Sequence, residues 1–120
     1  MRRVTIATTV NCTATAAVIF VVGAVIGSPS ARGDTVAYLV NVTIRPGYNF
    51  PTADAALAYG YGICDRVRAG SRYADDIAAI QADFGTTDDY QAAYLINQAV
   101  NELCPALIWQ LRQSAAHYTP

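Results

Sequence analysis

The chain has 120 residues, of which 53% are hydrophobic and 14% charged, with a formal net charge of -1. That length holds one small domain, and so apolar a composition excludes a disordered chain. Near-balanced charge excludes a binder that grips nucleic acid through a basic surface.

The first 33 residues differ from the rest. Arg2 and Arg3 are the only charges before Arg32, and the apolar stretch Ala14 to Ile26 follows them. Gly27, Ser28, Pro29 and Ser30 then break any helix, and Ala31-Arg32-Gly33 places small residues at the -3 and -1 positions of a peptidase site. This pattern predicts a cleaved signal peptide over residues 1–33 and a domain over 34–120. The alternative is a helix that stays in the membrane, since Val4 to Ile26 is long enough to span about 30 Å of hydrocarbon. Cys12 precedes the apolar core, so a lipoprotein is not expected.

Without the leader, five arginines stand against nine acids and leave a net charge of -4, with no lysine anywhere. Nucleic acid and anionic lipid surfaces become poor partners for such a domain. Cys12 leaves with the leader, so Cys64 and Cys104 form one pair in an oxidising compartment. Their bond would close a loop of about 40 residues and contribute about 4 kcal/mol in the chain-entropy model. A metal site would need more ligands than these two thiols and the single His117 supply.

The elements in chain order are helical. A first segment from Asp34 to about Ile44, with Asp34 as its cap, is expected to place Val36, Leu39, Val40 and Thr43 on one face, although its β-branched residues could also extend as a strand. Arg45-Pro46-Gly47 is a turn, and Tyr48 to Pro51 reads as irregular chain. Thr52 opens a second helix to about Ala69, with Ala53, Ala56, Leu57, Gly60, Ile63, Cys64 and Val67 on its inner side. The missing side chain of Gly60 would let another helix come close. Gly70 closes that helix and Ser71 is expected to cap the next, in which Tyr73, Ile77, Ile80 and Phe84 face inward while Asp75, Asp76 and Asp83 point away.

Thr86 to Asp89 supply a cap and acids for a fourth helix running to about Cys104. Ala92, Leu95, Ile96, Ala99, Val100 and Leu103 form its apolar arc, and Tyr90, Tyr94, Asn97 and Asn101 its outward arc. Pro105 ends that helix and opens a fifth, short one with Leu107, Ile108 and Leu111. The fold class is therefore all-α: a small disulfide-stapled bundle of four to five short helices.

The Asp34, Tyr38, Leu39 segment, the GYGIC helix with Cys64, the RAGxxY turn and the closing AVxxLCP with Cys104 together resemble the mycobacterial domain-of-unknown-function 732 family (DUF732). The resemblance implies a small, exported, all-helical actinobacterial protein and brings no catalytic residues with it. Members often carry a His before the first cysteine motif, where this chain has Tyr61 and Gly62.

No catalytic constellation is expected. His117 stands three residues from the end of the chain, and the pairs Asp75/Asp76 and Asp88/Asp89 read as solvated acids near helix N-termini. Gly60-Tyr61-Gly62 follows no strand and is not a phosphate loop. No cofactor is called for. Two non-enzymatic readings remain: an interaction module of the cell envelope or extracellular space, and a carrier of a small apolar ligand such as lipid or haem held between helices. The uncharged arc Tyr90, Tyr94, Asn97 and Asn101 is the candidate interaction surface, unless the Tyr48 to Pro51 loop covers it. Intact-mass measurement on protein recovered after export should give a chain that starts at Asp34; a mass that retains residues 1–33 would make it membrane-anchored instead.

Overall fold

The computed structural model describes residues 33–120; the expected signal peptide, Cys12 included, lies outside them up to Arg32. Helices α1 (Thr35–Ile44), α2 (Ala53–Arg68), α3 (Tyr73–Phe84), α4 (Asp89–Gln98) and α5 (Ile108–Ala115) pack around one core, with no strand among the described residues. Between α4 and α5 lie a π-helical segment, Ala99–Leu103, and a 3-10 turn, Pro105–Leu107.

Each start and stop has a local cause. The Asp34 carboxylate accepts from Ala37 N at 2.9 Å to cap α1, and Thr52 Oγ1 accepts from Ala55 N at 3.0 Å to cap α2. Gly70 and Gly85 follow α2 and α3 with positive φ of 83° and 61°, a conformation that spares glycine the Cβ clash. Asp88 caps α4 by accepting from Tyr90 N. Ser71 does not cap α3: its hydroxyl donates instead to Asp76 Oδ1 at 2.7 Å, and no side chain closes that helix end.

Of the expected face of α1 only Leu39, partly buried, packs against the core, and Val36, Val40 and Thr43 are exposed. Tyr38 and Val42 are buried, while Val36, Val40 and Ile44 face outward. Almost every position of α1 is apolar, so its hydrophobic period has little contrast, and Tyr38 decides the rotation. Its ring fills the gap at Gly60, and its hydroxyl donates to Ala56 O at 2.9 Å. Burial pushes that phenol well above the ordinary tyrosine range, so it stays a neutral donor.

Along α2, Ala56, Gly60, Ile63, Cys64 and Val67 are buried as expected, whereas Ala53 is exposed. The expected arc of α4, Ala92 through Leu103, is buried throughout, but it is carried by two helical forms. The α-helix stops at Gln98, and the wider turn over Ala99–Leu103 delivers Cys104 to Cys64, with Cα atoms 6.1 Å apart in the disulfide. Both sulfurs lie within 3.8 Å of Ala99 O; being oxidised, they donate nothing to it. Pro105 has no N–H to continue the ladder and opens the following turn.

Tyr48, read as irregular chain, is a core residue. Its ring contacts Phe84 edge-on at 5.3 Å, and its hydroxyl donates to Gln91 O at 2.5 Å. Tyr59 donates to Asp83 at 2.7 Å and ties α2 to α3, and Gln110 donates to Val67 O at 2.6 Å and ties α5 to α2.

Asp76, expected to point away from the core, is buried in it. It is 2% exposed, and its Oδ2 has no hydrogen-bond partner. Lying three residues after Tyr73 and four before Ile80, it shares their inward stripe. Burial raises its pKa, against the pull of the Ser71 hydroxyl and the Arg66 charge.

Two substitutions test these contacts. A Cβ at Gly60 would lie 2.6 Å from Leu103 Cδ1 and 2.7 Å from the Tyr38 hydroxyl. Gly60→Ala should therefore lower the urea-unfolding free energy by about 1–3 kcal/mol, the usual penalty of overpacking, although alanine is the better helix former. Asp76 carries a folded-state pKa raised above its unfolded value, so its contribution is complete only below the ordinary carboxylate range and is lost as pH rises through the raised value. Asp76→Asn should then melt higher than the native chain at about pH 7 and converge with it near about pH 3. Equal melting temperatures at both pH values would contradict the buried carboxylate.

Candidate interaction face

Two runs free of charge lie side by side. Between Asp34 and Arg45, α1 carries no ionisable side chain except the buried Tyr38, and no acid or base interrupts α4 and its π extension between Asp89 and Glu102. A seam of polar contacts joins them. Asn41 Nδ2 donates to Gln98 Oε1 at 2.7 Å, and Tyr94 OH donates to Asn41 O at 3.4 Å. At the end of the seam the Arg45 guanidinium lies 4.1 Å from the centre of the Tyr94 ring and 5.0 Å from that of Tyr90, within cation–π range of both.

The four residues of the outward α4 arc have different places on this face. Tyr90 is 66% exposed, and Asn97 and Asn101 are exposed as well. Asn97 donates back to Ala93 O at 2.9 Å, which leaves its carbonyl oxygen toward solvent. Tyr94 is half-buried: its ring is stacked on Tyr48 at 6.5 Å and covered by Arg45, so it supports the face from beneath. Burial of the Tyr48 ring pushes its phenol up to about 12, opposed chiefly by the nearby Arg45 charge. The loop that carries Tyr48 thus sits under Tyr94 and leaves Tyr90, Asn97 and Asn101 open.

Arg45 belongs to the face although the sequence marks it only as the start of a turn with Pro46 and Gly47, because its ring contacts depend on α4 lying beside α1. A recess of about 420 Å³ lined by Arg45, Pro46, Asp88 and Gln91 opens at this end of the face. Planar donors stacked on two phenols, with amides alongside, can hold a polypeptide surface by hydrogen bonds and aromatic contact.

Elsewhere the candidate groups are dispersed. His117, Ser71, Arg72 and Ser114 line an open cleft of about 500 Å³ beside the C-terminal residues. Ser71 is committed to Asp76 there, so its hydroxyl proton is directed at a carboxylate and not at the imidazole. Among the described residues no group of three or more His, Cys, Asp or Glu side chains is placed to hold a metal ion, and no helix is long and apolar enough to cross a membrane.

No curated protein and no solved structure is similar to this chain. A family model described as Protein of unknown function (DUF732) matches residues 33–106, which take in α1 to the π-helical segment and both bonded cysteines. With more than half its length matched by that model, the chain belongs to the DUF732 family.

Proposed function

We propose that this protein is exported and acts, without catalysis, as an interaction module of the cell envelope or extracellular space. Export is supported by the leader-like residues 1–33, by a family match that leaves residues 1–32 outside it, and by a disulfide of the kind that persists in oxidising compartments. A lysine-free domain rich in alanine and arginine fits an actinobacterial source with a GC-rich genome.

The observation that carries the interaction reading is the outward arc of α4. An ordinary solvated helix face carries several charges, whereas this one presents Tyr90, Asn97 and Asn101 over twelve residues without any. Tyrosine is enriched at protein interfaces because a stiff ring gives large contact area at low entropy cost. The partner surface that fits is an uncharged polypeptide face with backbone or amide groups to pair with the two asparagines. The carrier reading draws no support from the packing, since Tyr38 and Leu103 fill the gap that Gly60 leaves between helices. Nor does the cleft at His117 favour an enzyme, given where the Ser71 proton goes.

A photo-crosslinking amino acid at position 97, introduced in the exporting host, should capture the partner for identification and affinity measurement. Tyr90→Ala and Asn101→Ala should each then weaken binding at least about fivefold, the scale of about 1 kcal/mol at an interface contact, with the melting temperature unchanged. Tyr94→Ala should differ by lowering the melting temperature, because its ring is held between Tyr48 and Arg45. Unchanged affinity in both Tyr90→Ala and Asn101→Ala would remove this arc from consideration.

A further inference from the structure

The outward face of α1 asks for an occupant of its own. Val36, Val40 and Ile44 recur every four residues along one line of the helix and are 69%, 50% and 74% exposed. A short helix ordinarily turns such a stripe inward and its polar residues outward. Here the core side is taken by Tyr38 and Val42, and the stripe is left uncovered. An anionic lipid surface is a poor cover, because residues 34–120 are net acidic and, along α1 and its two flanking residues, the single cation Arg45 is matched by the Asp34 carboxylate.

We propose that a second copy of this chain covers it, with the two α1 helices packed antiparallel about a two-fold axis through Val40. The spacing is self-complementary, as an isologous contact requires. Val36 and Ile44 stand four residues to either side of Val40. A two-fold axis therefore sets Val36 of each copy against Ile44 of the other, and Val40 against itself. Charge selects the same orientation. Asp34 precedes the helix and Arg45 follows it, so an antiparallel pair brings each Asp34 to the other copy's Arg45, whereas a parallel pair would set like charges together. The two helix dipoles also oppose each other only in the antiparallel arrangement.

Three β-branched side chains per copy cover less than the about 800 Å² per partner of a standard stable interface. The dimer is accordingly a reversible one. This inference goes beyond the α4 reading and does not depend on it: Tyr90→Ala leaves the α1 stripe intact.

The full chain is expressed with its own leader in an exporting host, purified, and followed by sedimentation velocity from about 1 µM to about 500 µM. The expected result is a shift from one-chain to two-chain mass across that range, kept in Tyr90→Ala and abolished in both Val40→Glu and Val40→Lys with unchanged helical circular dichroism. A short bifunctional maleimide fixes the orientation, because packed helix axes lie about 8–10 Å apart. Val40→Cys should crosslink to itself, and Val36→Cys and Ile44→Cys should crosslink efficiently only when mixed. One-chain mass at every concentration, or efficient self-crosslinking of Val36→Cys and Ile44→Cys separately, would overturn the proposal.

Discussion

The close approach of α2 to the end of α4 is the constraint on which the other elements depend. A bond between Cys64 and Cys104 holds the two together, and the bare backbone of Gly60 makes room one turn away. Into that room go the Leu103 side chain from the π-helical segment and the Tyr38 ring from α1. The same segment turns its Glu102 carbonyl to the backbone N–H of Asp34, so the start of α1 is pinned where the fourth helix ends. A domain of this size has a stability of only several kcal/mol, so a crosslink worth about 4 kcal/mol is a large part of the whole.

From that clamp follows the surface that the molecule offers. Once Tyr38 occupies the gap beside Gly60, the rotation of α1 is set, and Val36, Val40 and Ile44 have no side to face but outward. The same placement lays Asn41 against Gln98 and lets Arg45 reach over Tyr94 and Tyr90. The charge-free stretches of α1 and α4 thereby become neighbours. The interaction chemistry proposed for this face would be a consequence of core packing, because a chain with no gap to fill at Gly60 would be free to turn its aliphatic stripe inward.

Legibility in the sequence tracked how much each feature depends on a residue's own chemistry. The two cysteines of residues 34–120 have one pairing, and a glycine on an inner helical stripe means close approach, so both halves of the clamp could be read directly. The buried arc of α4 was legible because polar and apolar positions alternate there with full contrast. In α1 that contrast is absent: all but Asn41 and its two threonines are apolar, and only the shape of one partner, the gap at Gly60, decides which side goes in. Asp76 was misassigned since its type argued for water while its position, in step with Tyr73 and Ile80, argued for the core. The change from α to π geometry after Gln98 and the role of Arg45 were hidden because each depends on contacts between elements distant in the chain.

If the α2–α4 clamp governs α1 as well as itself, breaking its covalent half should be felt across both. Amide hydrogen exchange, read residue by residue on the chain with Cys64–Cys104 intact and after mild reduction, measures this directly. Stability should fall by about 4 kcal/mol on reduction, and the amides of α1 should lose protection together with those of Val100 to Cys104. Loss confined to the π-helical segment, with α1 still protected as in the oxidised chain, would contradict the account.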